Sequence, residues 1–201
     1  MTENIQTSAP AAPHELILHR RSVRAFDPRE VAEGEIVTLL EAARWAASCF
    51  NEQPWRYVVA RRSDTDAYAK LLDCLVPANH SWAQHAPLLL LTLAKKSFTH
   101  NGTPNRFAIH DAGMALTNLM LQAEVMGMSA HAMGGFDAAK ARETLAISDE
   151  YEIGAVVAVG YPGSPDSLPE KFRAAETAPR QRKPLEELVL SGLPAGFAVK
   201  A

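Results

Sequence analysis

Hydrophobic residues recur along the chain in two spacings, one typical of helices and one typical of strands. Residues 88–93 are almost continuously apolar, which predicts a strand buried on both faces. Residues 57–60, 129–133 and 154–160 are predicted as further strands. Helical spacing covers the stretches around them, and the predicted helices span 14–21, 28–47, 65–76, 107–128 and 137–145. The pattern predicts an α+β three-layer sandwich in which helices flank a central mixed sheet.

The predicted helix at 28–47 has the clearest start signal. Asp27, Pro28 and Glu30 match an N-cap, a first-turn proline and a reciprocal carboxylate. Its apolar stripe consists of Ile36, Leu39, Leu40, Ala43 and Ala47. These features predict that the helix begins directly after Asp27.

Two further segments are predicted to lie at the centre of the fold or at a contact between subunits. The helix at 107–128 is apolar around most of its circumference, which is typical of a central helix or a subunit interface. Residues 188–190 are predicted as a short terminal strand that joins either its own sheet or a partner's.

Composition limits the function classes. The 201 residues, 47% of them hydrophobic, suffice for one core, and we expect one domain at 14–192 between a flexible N-terminal tail at 1–13 and a C-terminal tail at 193–201. The net charge of -3 gives no bulk support for a nucleic-acid or membrane partner, and the strongest apolar run is too short to span a bilayer. Cys49 and Cys74 form no CxxC pair, which favours reduced thiols in the cytoplasm.

Two arginine clusters interrupt this mildly acidic composition. The first contains Arg20, Arg21 and Arg24 together with Ser22, and the second contains Arg180 and Arg182. Guanidinium groups offer paired donors that suit phosphate oxygens, and a serine hydroxyl can add another donor. The clusters are therefore either solvated basic patches or, if folding joins them, an anion site.

The motifs RRSVRAF and SCFNEQPWR, which begin at residues 20 and 48, resemble those of the FMN-dependent nitroreductase family. The resemblance continues through HDAGMALTNLMLQA, HAMGGFD, AVVAVGYP and RQRKPLEELV, and it covers residues 14 to 192. It implies an interlocked homodimer whose C-terminal segments wrap around each other. It also implies a ping-pong cycle in which NADH or NADPH reduces bound FMN and a nitroaromatic, quinone or activated alkene then accepts the electrons.

The same resemblance implies roles for the basic residues. Arg20, Arg21, Ser22, Arg180 and Arg182 match positions that hold the FMN phosphate and ribityl chain. Arg24 matches a position at the pyrimidine side of the flavin, where positive charge favours the reduced form. The alternative is that Arg24 pairs with a surface carboxylate such as Asp27.

Further matching positions lie around the flavin ring. Ser48, Cys49, Asn51 and Gln53 match a segment that approaches the flavin from the other subunit, although Ala47 and Cys49 replace the proline and second serine of many members. A run of three residues matches a segment that passes the ring and presents backbone N–H groups to it: Met133, Gly134 and Gly135. By itself a Gly-Gly pair is ordinarily just a turn, and the other motifs favour the flavin-contacting role here.

Other site types lack a supporting pattern. No protein nucleophile is required if FMN carries the chemistry, and nothing near Cys49 predicts an activated thiolate. The histidines form no three-ligand metal pattern, and the chain has no phosphate-loop or dinucleotide fingerprint. Asp111 and Asn118 are predicted as buried hydrogen-bonding residues. A flavin-sequestering protein and an enzyme of different flavin chemistry are the alternatives, and residues 97–106 are predicted to form the lid that governs the choice.

Overall fold

The computed structural model describes residues 12–192. The elements in chain order are α1 Glu15–His19, α2 Glu33–Arg44, β1 Trp55–Arg61, α3 Thr65–Leu72, α4 Pro77–Ala83, β2 Leu88–Lys95, α5 Ala108–Val125, β3 Ser129–Met133, α6 Ala138–Thr144, β4 Tyr151–Gly160, α7 Glu170–Thr177 and α8 Leu185–Leu188. The predicted tails therefore lie outside the described residues, apart from Ala12 and Pro13. None of the helices among residues 12–192 has the length and apolar character needed to cross a membrane.

The sheet has four strands in the order β1-β2-β4-β3, and every neighbouring pair is antiparallel. The prediction of a mixed sheet is thus wrong for the described strands. Burial on both faces of β2 requires a layer on each side of the sheet, but it carries no information about strand direction. The prediction of helices on both sides of a central sheet is confirmed.

Successive residues of β2 belong to different cores. Leu88 and Leu90 pack with α2 and α5, whereas Leu89 and Leu91 pack on the opposite face with Leu71 of α3. All four of these β2 leucines are at most 1% exposed. The sequence of β2 is an almost continuous apolar run because neither face of the strand is in contact with water.

Helix α2 begins five residues later than the capping pattern predicts. Phe26 bridges Pro162 and the N–H of Asp27 donates to Tyr161 at 2.9 Å, so the chain here is still extended beside the end of β4. The Asp27 carboxylate accepts from the N–H of Arg29 at 2.8 Å in a local turn. The actual cap is the carboxylate of Glu35, which accepts from the N–H of Ala32 at 2.8 Å.

The segment at 188–190, predicted as a strand, does not join the sheet of its own chain. Residues Leu185–Leu188 form the short helix α8, and the side chains of Leu188 and Leu190 are 60% and 98% exposed. A strand needs an edge to pair with, and within the described part of the chain this segment pairs with neither edge of the sheet.

Candidate functional site

Folding brings the two arginine clusters together. Arg180 Nη1 donates to the carbonyl of Arg20 at 2.5 Å, although the two residues are 160 positions apart. Burial lowers the pKa of the Arg20 guanidinium, and the positive charges of Arg180 and Arg182 lower it further, opposed by Glu124. We call Arg20, Arg180 and Arg182 the basic cluster. Its charges repel one another, so an anion bound among them would be stabilised.

The residues beside Arg20 tie this region to the C-terminal segment. Ser22 Oγ accepts from Arg20 Nη1 at 3.4 Å. Arg21 Nη2 donates to the carbonyls of Glu176 and Ala178 at 2.9 and 3.0 Å, so this side chain holds backbone. It therefore positions the segment that carries Arg180.

Arg24 pairs with a carboxylate, but its partner is not Asp27. Its Nη1 lies 3.8 Å from Glu176 Oε2, and its guanidinium lies over the rings of Trp82 and Phe172 at 6.0 and 5.5 Å. Glu176 is a residue that the sequence analysis missed. Nothing in its local sequence predicts a buried acid, because its contacts are with residues about 150 positions earlier.

Two side chains of strand β3 contact the backbone of residues 21–23. Ser129 Oγ donates to the carbonyl of Arg21 at 2.6 Å, and His131 Nδ1 lies 2.8 Å from the carbonyl of Val23. Burial lowers the pKa of His131, which favours the neutral ring. Because a carbonyl can only accept, Nδ1 carries the proton. Residues 21–23 are thus fixed to the edge of the sheet.

Residues 48–53, which we call the polar segment, form a compact turn before β1. Ser48 Oγ accepts from the N–H of Gln53 at 3.0 Å, and Asn51 accepts through its carbonyl from Gln53 Nε2 at 3.2 Å. Phe50, Asn51 and Gln53 have φ values of 54°, 55° and 51°. Left-handed backbone at non-glycine residues costs about 1–3 kcal/mol each, so the surrounding contacts must impose this conformation.

Asp111 supplies one of those contacts. Its buried carboxylate accepts from the N–H of Cys49 at 2.9 Å and lies 3.0 Å from His110 Nδ1. Asn118 Nδ2 donates to the carbonyl of Ala42 at 3.3 Å. The prediction of a buried hydrogen-bonding residue is confirmed for Asp111, whereas Asn118 is hydrogen-bonded but only half-buried.

The predicted lid packs against the polar segment. The centroid of the Phe50 ring lies 5.8 Å from that of Phe98 and 6.1 Å from that of His100. Glu52 Oε1 accepts from the N–H of Thr99 at 2.8 Å. Phe50 is nevertheless 83% exposed. The polar segment and the turn around residue 100 therefore present one aromatic surface to solvent.

The Met133-Gly134-Gly135 run leaves the end of β3. Met133 is buried, and a Cβ on Gly135 would lie 2.7 Å from Asn79 Nδ2, so a larger residue here would displace the Asn79 side chain. A Cβ on Gly134 would meet nothing within 4 Å. The space beside Gly134 is therefore open to a bound group.

The basic cluster and the polar segment lie at diagonally opposite corners of the sheet. Cys49 contacts Asp111 in the first turn of α5, whereas Glu124, whose charge acts on Arg20, lies in its last turn. These two helix positions are about 20 Å apart along the axis. Strands β1 and β3 are opposite edges, about 14 Å apart. Among the described residues, no hydrogen bond joins the two groups.

Cys49 and Cys74 form no disulfide bond. Cys49 is half-buried and Cys74 is buried, and burial raises the pKa of the Cys74 thiol. Residues 12–192 contain no group of three or more His, Cys, Asp or Glu side chains placed to hold a metal ion.

Comparison with known proteins identifies the family. A family model described as the nitroreductase family matches residues 17–161. The chain belongs to the nitroreductase family. The resemblance seen in the sequence motifs is thereby confirmed, and the chain is an oxidoreductase of this family.

Individual nitroreductase-family relatives agree along most of the chain. A solved structure described as an oxidoreductase containing FMN is 32% identical, covers 100% of both chains and gives a TM-score of 0.85. A Desulfovibrio desulfuricans protein solved in complex with FMN is 25% identical over 89% of this chain and 95% of that chain, with a TM-score of 0.71. A Thermus thermophilus relative described as NADH dehydrogenase is 30% identical over 86% of this chain and 92% of its own length.

Replacing Asp111 with alanine should destabilise the fold, because the Cys49 N–H loses its acceptor. We expect the free energy of unfolding to fall by about 1–3 kcal/mol, measured by urea denaturation at fixed protein concentration. Asp66→Ala is the matched control, since it makes the same change in the first turn of α3 at a side chain that is 81% exposed, and it should change the value by less than about 0.5 kcal/mol. Equal effects of the two substitutions would show that the carboxylate does not support the polar segment.

Proposed function

We propose that this protein is an FMN-dependent oxidoreductase that uses NADH or NADPH to reduce nitroaromatics, quinones or activated alkenes by a ping-pong mechanism. The observation that carries the proposal is the basic cluster, in which folding concentrates three guanidinium groups from the two ends of the chain. Such a site fits a phosphate group better than it fits any neutral ligand. FMN-containing structural relatives support the choice of ligand.

The residues present fit FMN at both of its ends. Arg20, Arg180 and Arg182 would hold the phosphate, with the Ser22 hydroxyl as a further donor and Arg21 holding the segment in place. The open space beside Gly134 would admit the ring. When bound, FMN supplies the two-electron chemistry, so the protein needs to bind and orient rather than attack.

The remaining proposed contacts concern the ring edge. Asn51 and Gln53 can donate from side-chain amides, and Ser48 from a hydroxyl whose oxygen also accepts from Gln53. Cys49 contributes at most a weak thiol donor. Arg24 would place positive charge at the pyrimidine side, where Glu176 balances part of it.

The position of the aromatic surface supports aromatic electron acceptors. Phe50, Phe98 and His100 lie in mutual contact beside the polar segment, and the Phe98 and His100 rings are 5.4 Å apart. Planar rings such as nitroaromatics and quinones stack on such surfaces. These contacts support a role for the proposed lid in selecting the acceptor.

We further propose that the site is shared within a homodimer. The basic cluster and the polar segment are at opposite ends of α5, so two copies of the chain can each supply one group to the same flavin. Exposed apolar side chains on and beside α5 support a subunit contact there; they are Trp45, Ile109 and Val125, at 76%, 46% and 63% exposure. Free Cys49 and Cys74 fit a reducing cytoplasm.

The purified protein should be yellow and should release one noncovalent FMN per subunit on denaturation. Added NADH or NADPH should bleach the flavin absorbance, and a quinone or nitroaromatic should restore it. Recovery of FAD, or failure of FMN to reconstitute the apo-protein, would contradict the cofactor assignment. Bleaching without acceptor-dependent recovery would favour a sequestering protein instead.

Arg182→Ala should weaken FMN binding more than riboflavin binding, because riboflavin lacks the phosphate. The lost charge-assisted contact is expected to be worth about 1.5–3 kcal/mol. Lys183→Ala is the control, since it removes the same charge from the next residue, whose ammonium pairs with Glu187 at 3.3 Å. Dissociation constants measured at one ionic strength should separate the variants, and equal losses in both would leave only a general charge effect.

A mixed dimer should recover an intact site from two defective subunits. One subunit carries Arg20→Ala and Arg182→Ala, and the other carries Asn51→Ala and Gln53→Ala, so that one of the two sites keeps both groups. Separately tagged heterodimers should regain flavin binding and about half of the parental turnover per dimer. Normal assembly without recovery, or an active monomer detected by light scattering, would refute the shared site.

A further inference from the structure

Glu176 has a buried carboxylate that contacts residues near the other end of the chain. Its side chain is 6% exposed and lies next to the C-terminal end of α7. Oε1 accepts from the N–H groups of Arg24 and Ala25 at 2.7 and 3.0 Å. Burying a carboxylate is costly unless it is paired and hydrogen-bonded, so these contacts fix the position of α7.

The surrounding hydrogen bonds run in both directions between the same two segments. Arg21 donates to the carbonyls of Glu176 and Ala178, and Arg180 donates to the carbonyl of Arg20. The two Glu176 bonds complete a set of five between residues 20–25 and 176–180. Arg180 and Arg182 follow directly after this contact, so their position depends on it.

Apolar packing gives α7 little other attachment. None of its eight residues is fully buried, and Phe172 is the only one that packs on the described core. Glu176 Oε2 lies 3.8 Å from Arg24 Nη1 and has no hydrogen-bond partner among the described residues. The carboxylate is therefore held by its Oε1 bonds and by the charge of Arg24.

We propose that Glu176 is a positioning residue that docks the C-terminal segment and thereby forms the phosphate-binding basic cluster. This rests on the proposed function only for the identity of the phosphate ligand. The expected effect of removing Glu176 on anion binding is opposite in sign to the effect that simple electrostatics predicts. Removing a negative charge near an anion site should strengthen anion binding through simple electrostatics, whereas loss of a positioning residue should weaken it.

The binding test compares FMN with riboflavin in the parent, Glu176→Ala and Glu176→Gln proteins. Glu176→Ala should lower the ratio of FMN affinity to riboflavin affinity about tenfold, since two N–H groups lose a charged acceptor. Glu176→Gln, which keeps the shape and one acceptor oxygen, should lower it less. The matched control is Glu170→Gln, which makes the same charge change on α7 at a side chain that is 88% exposed and pairs with Arg173.

A second measurement needs no flavin. Hydrogen exchange at the Arg24 and Ala25 amides, and trypsin cleavage after Arg180 and Arg182, should both accelerate in the Glu176 variants and not in Glu170→Gln. If the alanine variant does not fold, the glutamine variant carries both measurements. Unchanged exchange and cleavage, or an unchanged or increased affinity ratio, would overturn the positioning role. If the parent binds no flavin, the proposed function fails while exchange and cleavage still test the docking.

Discussion

The hydrogen bonds between residues 20–25 and 176–180 determine whether this chain has a concentrated positive charge at all. Without them, the arginines at the two ends belong to separate, solvated segments of an acidic protein. With them, Arg20 is partly buried beside Arg180 and Arg182, and its pKa is lowered by burial and then by the repulsion of these two charges. The fold thus stores an unfavourable charge arrangement that a phosphate would relieve.

The antiparallel sheet sets the distance between this charge and the rest of the candidate site. Strand β2 has neither face in water, so the sheet is held between two cores and can deform little. Its edges carry β1, which follows the polar segment, and β3, which anchors residues 21–23. The distance between the basic cluster and the polar segment of one chain is therefore fixed. Bringing a basic cluster and a polar segment together depends on the assembly of subunits rather than on local flexibility.

The predictable part of this structure is the part that local pattern encodes. The buried run of β2 was correctly placed because burial on both faces of the strand leaves a continuous apolar signature. Helix α5 was also correctly placed, although only one face of it is buried in the chain and Ile109 and Val125 are exposed. Strand direction was predicted wrongly, since period-two and apolar-run patterns are the same in parallel and antiparallel sheets. The start of α2 was wrong because pairing beside β4 holds residues 26–27 extended despite a good capping sequence.

The candidate site likewise combines features that the local sequence predicts with features that depend on the folded chain. Arginine-rich motifs and the polar segment were visible as residue types, and the family model confirms the resemblance that they carry. The partner of Arg24 was not visible, because Glu176 is brought to it only by the folded chain. Asp111 could be identified as a buried polar residue of a helix, but its bond to Cys49 depends on where the loop before β1 returns.

The left-handed backbone of the polar segment has a consequence for protein engineering. Phe50, Asn51 and Gln53 occupy a region of conformational space that β-branched side chains strongly avoid and that glycine, asparagine and aspartate tolerate. In a library that varies these three positions at random, many variants would therefore be unable to form the turn. A library aimed at the proposed acceptor site would therefore restrict positions 50, 51 and 53 to backbone-compatible residue types and vary the facing residues Phe98 and His100.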